Sequence, residues 1–251
     1  MTDIRTVTAT RYVAPLREGG SLPGLMEADD LGTYVVKYRG AAQGVRTLIA
    51  ELITGEIGRL LGLPVPEIVF AELDPDLART EPDPEIQELI RASAGLNLAI
   101  DYLPGSIMFD PVADAPDGLL ASSVVWFDAL VSNIDRTPKN TNLLMWHGKL
   151  WMIDHGAALY FHHGTDDFVP RAREPFAAVK EHVLLRFADA IEEADTVLCP
   201  RFTRKAIDEV IALVPSEWTP HAARYTDYFM ARLASPRAFA EEARRARSQQ
   251  L

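Results

Sequence analysis

The feature that most constrains the fold is a short segment, residues 133–156, in which two apolar runs flank a two-residue turn. The runs are residues 142–146 and 149–153. Between them, His147-Gly148 has the length of a tight β-hairpin loop, and glycine tolerates the positive φ that such a loop needs. The segment therefore predicts a hairpin in which Trp146 pairs with Lys149.

Polar residues lie just beyond the open end of this hairpin. If the pairing continues, Thr141 faces Asp154 and Asn140 faces His155. Cα atoms directly across an antiparallel ladder lie about 4.5–5.5 Å apart. The amide oxygen of Asn140 and the carboxylate of Asp154 are thus expected to converge on one ion.

Asp135 precedes Asn140 by five residues. That spacing lets an aspartate meet a substrate hydroxyl while the asparagine turns back towards Mg²⁺. Mg²⁺ prefers oxygen ligands and keeps waters and substrate phosphates as its other partners, so few protein ligands are expected. The alternative is a polar turn whose side chains only cap and end neighbouring elements.

The rest of the chain predicts strands and one helix in its first part and helices in its second. A β-rich run at 33–38 carries Lys37, and apolar residues at three- and four-residue spacing over 43–61 predict a helix that ends in a Gly-Leu-Pro-Val-Pro run. Further strands are expected at 67–73 and 97–103, and the acidic, proline-containing stretch 74–85 is expected to be exposed. Helical periodicity recurs at 117–132, 174–193, 204–214, 220–234 and 236–247.

Composition excludes several classes of protein. The 251 residues are 48% hydrophobic and 24% charged, as in ordinary globular domains, and the net charge of −11 argues against nonspecific nucleic-acid binding. The single cysteine cannot form an internal disulfide. The adjacent His162 and His163 are expected to point apart, which argues against zinc. No apolar run is long enough to span a bilayer, so a cytoplasmic protein without membrane contact is expected.

Together these pieces resemble the HipA family of kinases, which have a protein-kinase-like fold and are related in active-site plan to phosphatidylinositol kinases. The resemblance covers residues 16–156. It rests on the strand lysine in VVKY, the helix that closes with GLPVP, the stretch LAIDYL, the loop NIDRTPKN and the metal-binding IDHG. One departure is Thr137, where family members often have histidine.

The resemblance implies roles for individual residues. Asp135 resembles the catalytic aspartate, Asn140 and Asp154 the metal ligands, and Lys37 the lysine that neutralises phosphates. Its glutamate partner is expected to be Glu51, with Glu56 as the alternative. Three further parts, seven residues in all, complete the site that the resemblance implies: Lys139 beside the γ-phosphate, a phosphate cradle at Gly19, Gly20 and Ser21, and an adenine-binding hinge at Asp101, Tyr102 and Leu103.

The resulting expectation is an α+β, two-lobed protein-kinase-like fold with an N-lobe over 1–102 and a mainly helical C-lobe over 103–251. The activity implied is Mg²⁺- and ATP-dependent transfer of a phosphoryl group to a serine or threonine hydroxyl of a protein. Three alternatives remain open: a small-molecule or lipid kinase, a nucleotide-binding regulator with little catalysis, and an interaction protein that binds no nucleotide.

Overall fold

The computed structural model describes residues 4–16, 22–41 and 44–250. The chain divides into two compact units, the first built from residues up to 52 and from 66–104, the second from 53–65 and from residue 105 onward. The first contains most of the β-structure and the second most of the helices, so the α+β class is confirmed.

Five strands of the first unit close into a barrel in the order β1-β2-β3-β5-β4. They are β1 (Thr6–Pro15), β2 (Gly24–Ala28), β3 (Thr33–Lys37), β4 (Ile68–Leu73) and β5 (Gly95–Asp101). Neighbours are antiparallel except β1 and β4, which run parallel and complete the closure. Buried side chains from all five strands fill the interior. The three predicted strands are confirmed as β3, β4 and β5.

Strands β1 and β2 were missing from the sequence-based expectation. The pairing of β1 with β2 shifts register twice, between Ala9 and Arg11 and between Tyr12 and Ala14. Each shift breaks the two-residue alternation of buried and exposed side chains by which a strand is recognised. Gly24 is the first residue of β2.

Helix α1 (Gly44–Leu60) confirms the predicted helix and contributes to both units. Residues 48–58 are all buried, the charged residues Glu51 and Glu56 among them. Gly58 permits a close approach, because a Cβ there would lie 2.9 Å from a methyl group of Val65. The helix ends before Gly62, whose φ of +79° favours glycine.

The acidic stretch 74–85 after β4 is mostly exposed, as expected, but it is not without structure and two of its residues are buried. It forms a short 3-10 turn, Pro75–Thr80, followed by helix α2 (Pro84–Ala92). Ala78 packs into the core of the barrel, and Glu81 is buried as well.

The second unit is organised around helix α3 (Gly118–Val131), which Asp117 caps by accepting from the N–H of Leu120. Its residues from Ala121 onward are all buried. The further elements are α4 (Ile191–Leu198), α5 (Arg204–Ile211), α6 (Ala223–Leu233), α7 (Ala238–Ser248) and a small sheet in the order β6 (Ile107–Met108), β7 (Leu143–Trp146), β8 (Lys149–Met152). No helix in the described ranges is long and apolar enough to cross a membrane.

The predicted helix over 174–193 is wrong. The chain there makes two short 3-10 turns, Ala177–Glu181 and Leu185–Phe187, and α4 begins only at Ile191. Between the turns, the N–H of Val183 donates to the carbonyl of Arg136, and the N–H of Leu184 donates to the side chain of His182. Both amides are used in tertiary or local contacts in place of helical bonds.

Candidate active site

The hairpin forms with the predicted register. Strands β7 and β8 pair from Trp146↔Lys149 to Leu143↔Met152, and His147 and Gly148 both adopt positive φ in the turn. This confirms the assignment made from the two apolar runs.

Beyond the last pair, the ladder closes with one bond from the N–H of Ile153 to the carbonyl of Asn142, 3.1 Å long. Asn142 and Asp154 then take left-handed conformations, with φ of +47° and +55°. The strands therefore separate here, and the predicted continuation of the pairing to Asn140 is wrong. Asn140 lies instead in a tight turn in which it exchanges main-chain bonds with Thr137.

The catalytic-loop candidate Asp135 is half-buried and held by amides from two sides. The Nδ2 of Asn140 donates to Asp135 Oδ2 at 2.8 Å. The Nδ2 of Asn142 donates to the main-chain carbonyl of Asp135 at 3.0 Å and to Oδ2 at 3.3 Å. Its own N–H donates to the Oδ1 of Asn133 at 3.1 Å. The structure thus brings Asp135 and Asn140 into contact. Because the Nδ2 of Asn140 donates to Asp135, the acceptor atom of this amide, Oδ1, lies on the other branch of the side chain. Lys139, between them in the loop, is exposed.

Below this loop lies a buried polar network that centres on Asp128 of α3. Its Oδ2 accepts from Arg136 Nε at 2.5 Å and from His182 Nε2 at 2.9 Å, and its Oδ1 accepts from Asn133 Nδ2 at 3.0 Å. Burial alone would raise the pKa of the Asp128 carboxyl, but the charge of Arg136 and the bonds from His182 and Asn133 outweigh it, so the pKa lies below its ordinary value. Asp128 is therefore a carboxylate at neutral pH.

His182 is the neutral partner of this network. Its Nδ1 accepts the N–H of Leu184 at 3.0 Å, so its proton is on Nε2, which donates to Asp128. Burial lowers the pKa of the His182 imidazole, against the opposing effect of Asp128. Arg136 alone supplies the positive charge that balances the buried carboxylate.

Arg136 also reaches the two segments that leave the hairpin. Its Nη1 donates to the carbonyl of Asn142 and, at 3.4 Å, to that of Ile153, while its Nη2 lies 3.3 Å from His155 Nδ1. Sequence reasoning gave no role to Arg136, Asp128 or His182. One hint of the pair formed by Asp128 and Arg136 was present in the sequence, since Asp128 is an aspartate within the apolar run 119–131. Nothing in the sequence indicated His182, which is 54 residues from Asp128.

In the first unit, Lys37 at the end of β3 meets a glutamate of α1. Lys37 Nζ lies 3.6 Å from Glu51 Oε2, and both side chains are buried. The alternative partner, Glu56, pairs with Arg59 at 3.1 Å. Of the two glutamates considered, the structure places Glu51 beside the lysine.

The expected hinge residues follow β5. The N–H of Asp101 donates to the carbonyl of Glu67 at 2.9 Å, and that of Tyr102 donates to the carbonyl of Thr33 at 3.0 Å. Burial raises the pKa of the Asp101 carboxyl, with a further contribution from Glu67. Leu103 is buried. The expected phosphate cradle, Gly19, Gly20 and Ser21, lies outside the described residues.

His162 and His163 do not point apart as expected. Their Nε2 atoms lie 3.2 Å apart, and the Nδ1 of His162 lies 2.8 Å from the hydroxyl of Tyr225. Within the part of the chain that the structure describes, no three His, Cys, Asp or Glu side chains are grouped so as to hold a metal ion.

Comparison with known proteins decides the family. A model of the HipA-like kinases matches residues 10–242. The chain belongs to this family. The resemblance inferred from the motifs is thereby confirmed, and so is the assignment of the chain as a kinase, an enzyme that transfers phosphoryl groups.

The HipA-like chain also resembles solved kinase structures. It shares 13% identity and a TM-score of 0.61 with the crystal structure of a Helicobacter pylori proinflammatory kinase, CtkA, with 99% of each chain covered. At this identity the likeness shows a shared fold. The Golgi casein kinase with Mn/ADP bound is 11% identical, with a TM-score of 0.48 over 96% of this chain and 75% of that one. Comparison with curated proteins finds no sequence match.

Proposed function

We propose that this HipA-like kinase transfers the γ-phosphoryl group of ATP to a serine or threonine hydroxyl of a protein, with Mg²⁺ as the metal ion. The observation that carries the proposal is the half-buried carboxylate of Asp135, which the amides of Asn140 and Asn142 hold in one orientation. A carboxylate fixed in this way can accept the proton of an incoming hydroxyl or orient that hydroxyl for in-line attack.

The residues offered to a metal ion are of the right chemistry for Mg²⁺. Asn140 uses its Nδ2 on Asp135, so its Oδ1 is the end that can ligate, and Asp154 adds a carboxylate. Both are hard oxygen donors, and waters and phosphates complete such sites. When bound, Mg²⁺ would neutralise charge on the phosphates. Asp135 would act on the acceptor, and the exposed Lys139 would meet the γ-phosphate.

We assign the first unit to phosphate and adenine binding and identify it with the N-lobe of a kinase, predicted over 1–102. The second unit corresponds to the C-lobe, predicted over 103–251. Lys37 supplies the positive charge for the α- and β-phosphates, and Glu51 keeps its ammonium in place. We further assign Gly19, Gly20 and Ser21 to the phosphate loop, where small residues let main-chain N–H groups approach.

The hydrogen bonds of the hinge limit which of its main-chain groups can bind adenine. Because the N–H groups of Asp101 and Tyr102 already donate to neighbouring strands, adenine would be read by the N–H of Leu103 and by main-chain carbonyl oxygens of this stretch. Side chains of Asp101 and Tyr102 would then contribute little to nucleotide affinity.

The direct test is to incubate the purified protein with γ-labelled ATP, Mg²⁺ and host lysate. Label that appears on a protein band, and that is lost with Asp135→Asn, is the expected result. Label recovered on a small molecule or in the lipid fraction would favour the corresponding other kinase class. Nucleotide binding without any transfer would favour a regulatory pseudokinase and contradict the proposal.

Nucleotide binding itself is tested by thermal unfolding. A ligand that binds only the folded state stabilises it by RT ln(1 + [L]/Kd), about 2.7 kcal/mol at a hundred times Kd. We expect Mg-ATP to raise Tm. A melting curve that millimolar Mg-ATP leaves unmoved would rule out ATP as the substrate.

A further inference from the structure

Arg136 stands out within the loop because it is almost fully buried beside neighbours that reach solvent. It is 1% exposed, whereas Ile134 is 45% exposed and Asp135 is half-buried. Burying a guanidinium is costly unless its charge is paired and its donors are satisfied. Its partners lie on three separate parts of the chain: α3, the start of β7 and the end of β8.

The two carbonyls that Arg136 reaches mark the point where the hairpin opens. Asn142 and Ile153 make the last bond between the strands, and Asn142 and Asp154 then adopt positive φ. Asparagine and aspartate adopt the left-handed conformation more readily than other non-glycine residues, so both turns form at residue types that tolerate them. The guanidinium contacts carbonyls at the two residues where the left-handed turns begin, and Asn142 in turn donates to Asp135.

The arginine is itself held from behind. Asp128 accepts its Nε, and His182 fills the same carboxylate oxygen with Nε2–H. The next residue, Val183, donates its N–H to the main-chain carbonyl of Arg136 at 3.0 Å. Segment 182–184 therefore holds Arg136 in two ways: His182 binds its counter-ion Asp128, and Val183 binds the main-chain carbonyl of Arg136.

We propose that Arg136, held by Asp128 and His182, is a positioning residue that sets the Asp154 end of the hairpin relative to the Asp135 loop. The inference rests on the proposed function, because Asp135 and Asp154 are the groups that it would place. Arg136 acts through other residues in this account and does not itself contact substrate.

The first test compares two buried arginines. Arg232 is 3% exposed and also donates to main-chain carbonyls, those of Ala129, Leu130, Ala172 and Glu174. Lysine at either position keeps the charge but loses the planar fork that serves several acceptors at once. Arg136→Lys should lower kcat at least tenfold and raise the Mg²⁺ concentration for half-maximal binding, measured by calorimetry in the presence of ADP. Arg232→Lys should lower Tm and leave both quantities within twofold.

The second test separates the two bonds of His182. Glutamine can reproduce the Nε2 donor to Asp128, and asparagine can reproduce the Nδ1 acceptor for Leu184. His182→Gln should therefore keep kcat within about threefold, whereas His182→Asn should lose tenfold or more at a similar Tm. The opposite order would mean that His182 only caps a local turn, and it would overturn the role given to His182 in the proposal.

Failure of the inference is distinguishable from failure of the proposed function. Phosphoryl transfer by the unchanged protein, together with equal kcat and metal binding in Arg136→Lys and the unchanged protein, would overturn the positioning role alone. Absence of transfer by the unchanged protein would contradict the proposed function. Calorimetry of Mg²⁺ with ADP would then still decide on Arg136, since unaltered binding in Arg136→Lys overturns its role. If Arg136→Lys does not fold, the His182 pair supplies the same decision.

Discussion

The two units carry buried charge in contrasting ways. In the first, Lys37 and Glu51 face each other across 3.6 Å, longer than a hydrogen bond, from a strand and a helix. In the second, Asp128 is surrounded by donors from Arg136, His182 and Asn133 at 2.5–3.0 Å. The first arrangement is an ion pair between two side chains. The second also includes main-chain groups, because Arg136 donates to the carbonyl of Asn142 as well as to Asp128.

The difference teaches that burial by itself does not reveal the purpose of a charge. A buried ion pair is weak evidence for stability, since replacing both partners with apolar residues often costs little. A network that also satisfies main-chain groups is harder to replace, because the carbonyl of Asn142 would lose one of its two donors and keep only the N–H of Ile153.

The largest expected effect contrasts two double variants. Asp128→Leu with Arg136→Met should lose about 4 kcal/mol of the free energy of unfolding, because the buried donors of His182 and Asn133 lose their acceptor and the carbonyl of Asn142 loses one of its two donors. Lys37→Met with Glu51→Leu should stay within about 1 kcal/mol. Urea unfolding followed by circular dichroism measures both. Similar losses in the two doubles would erase the contrast.

The next effect separates catalysis from metal binding within the second unit. Asp135→Asn should lower turnover about a hundredfold or more and leave Mg-ATP affinity within about threefold, because its role is towards the acceptor hydroxyl. Asp154→Asn should lose metal affinity and turnover together, since it removes a charge from the ion's own ligand set. Nucleotide dissociation constants and single-turnover ATP consumption distinguish the two. Loss of metal binding in Asp135→Asn would show that the roles are misassigned.

A smaller effect is expected in the first unit. Lys37→Ala should remove most of the rise in Tm that Mg-ATP produces, because the phosphates lose their positive partner. Asp101→Ala is the matched control, since adenine would be read there by main-chain groups. Its nucleotide affinity by calorimetry should remain near that of the unchanged protein. Equal losses would mean that either the hinge or the lysine is wrongly placed.

The smallest effect is a dependence of stability on pH. The pKa of His182 is lowered in the folded state, so the unfolded chain binds its proton first as pH falls, and stability decreases below the ordinary histidine pKa of about 6.5. The lowered pKa of Asp128 adds a second loss only below about pH 4. His182→Gln should flatten the first of these two windows in urea unfolding at pH 5–8. An unchanged slope would contradict the assignment of His182 as neutral.

Local sequence patterns determined much of what this chain is. The hairpin register followed from two apolar runs and a His-Gly turn, and α1, α3 and the barrel strands β3, β4 and β5 followed from their periodicity. These features depend on neighbouring residues, so a short window contains the physics that forms them. The family resemblance was readable for the same reason, since its motifs are short and occur in a fixed order.

Tertiary structure decided the rest. The bulges of β1 interrupt its alternation of buried and exposed side chains. Segment 182–184 is not helical because the N–H groups of Val183 and Leu184 donate to the carbonyl of Arg136 and to the side chain of His182. The contact between His182 and Asp128 joins residues 54 positions apart, and its strength depends on the low dielectric of the interior and on the charge of Arg136. No periodicity in the sequence predicts such a contact. The loop motif could thus be recognised from the sequence, but the side chains that hold it in place became visible only in the fold.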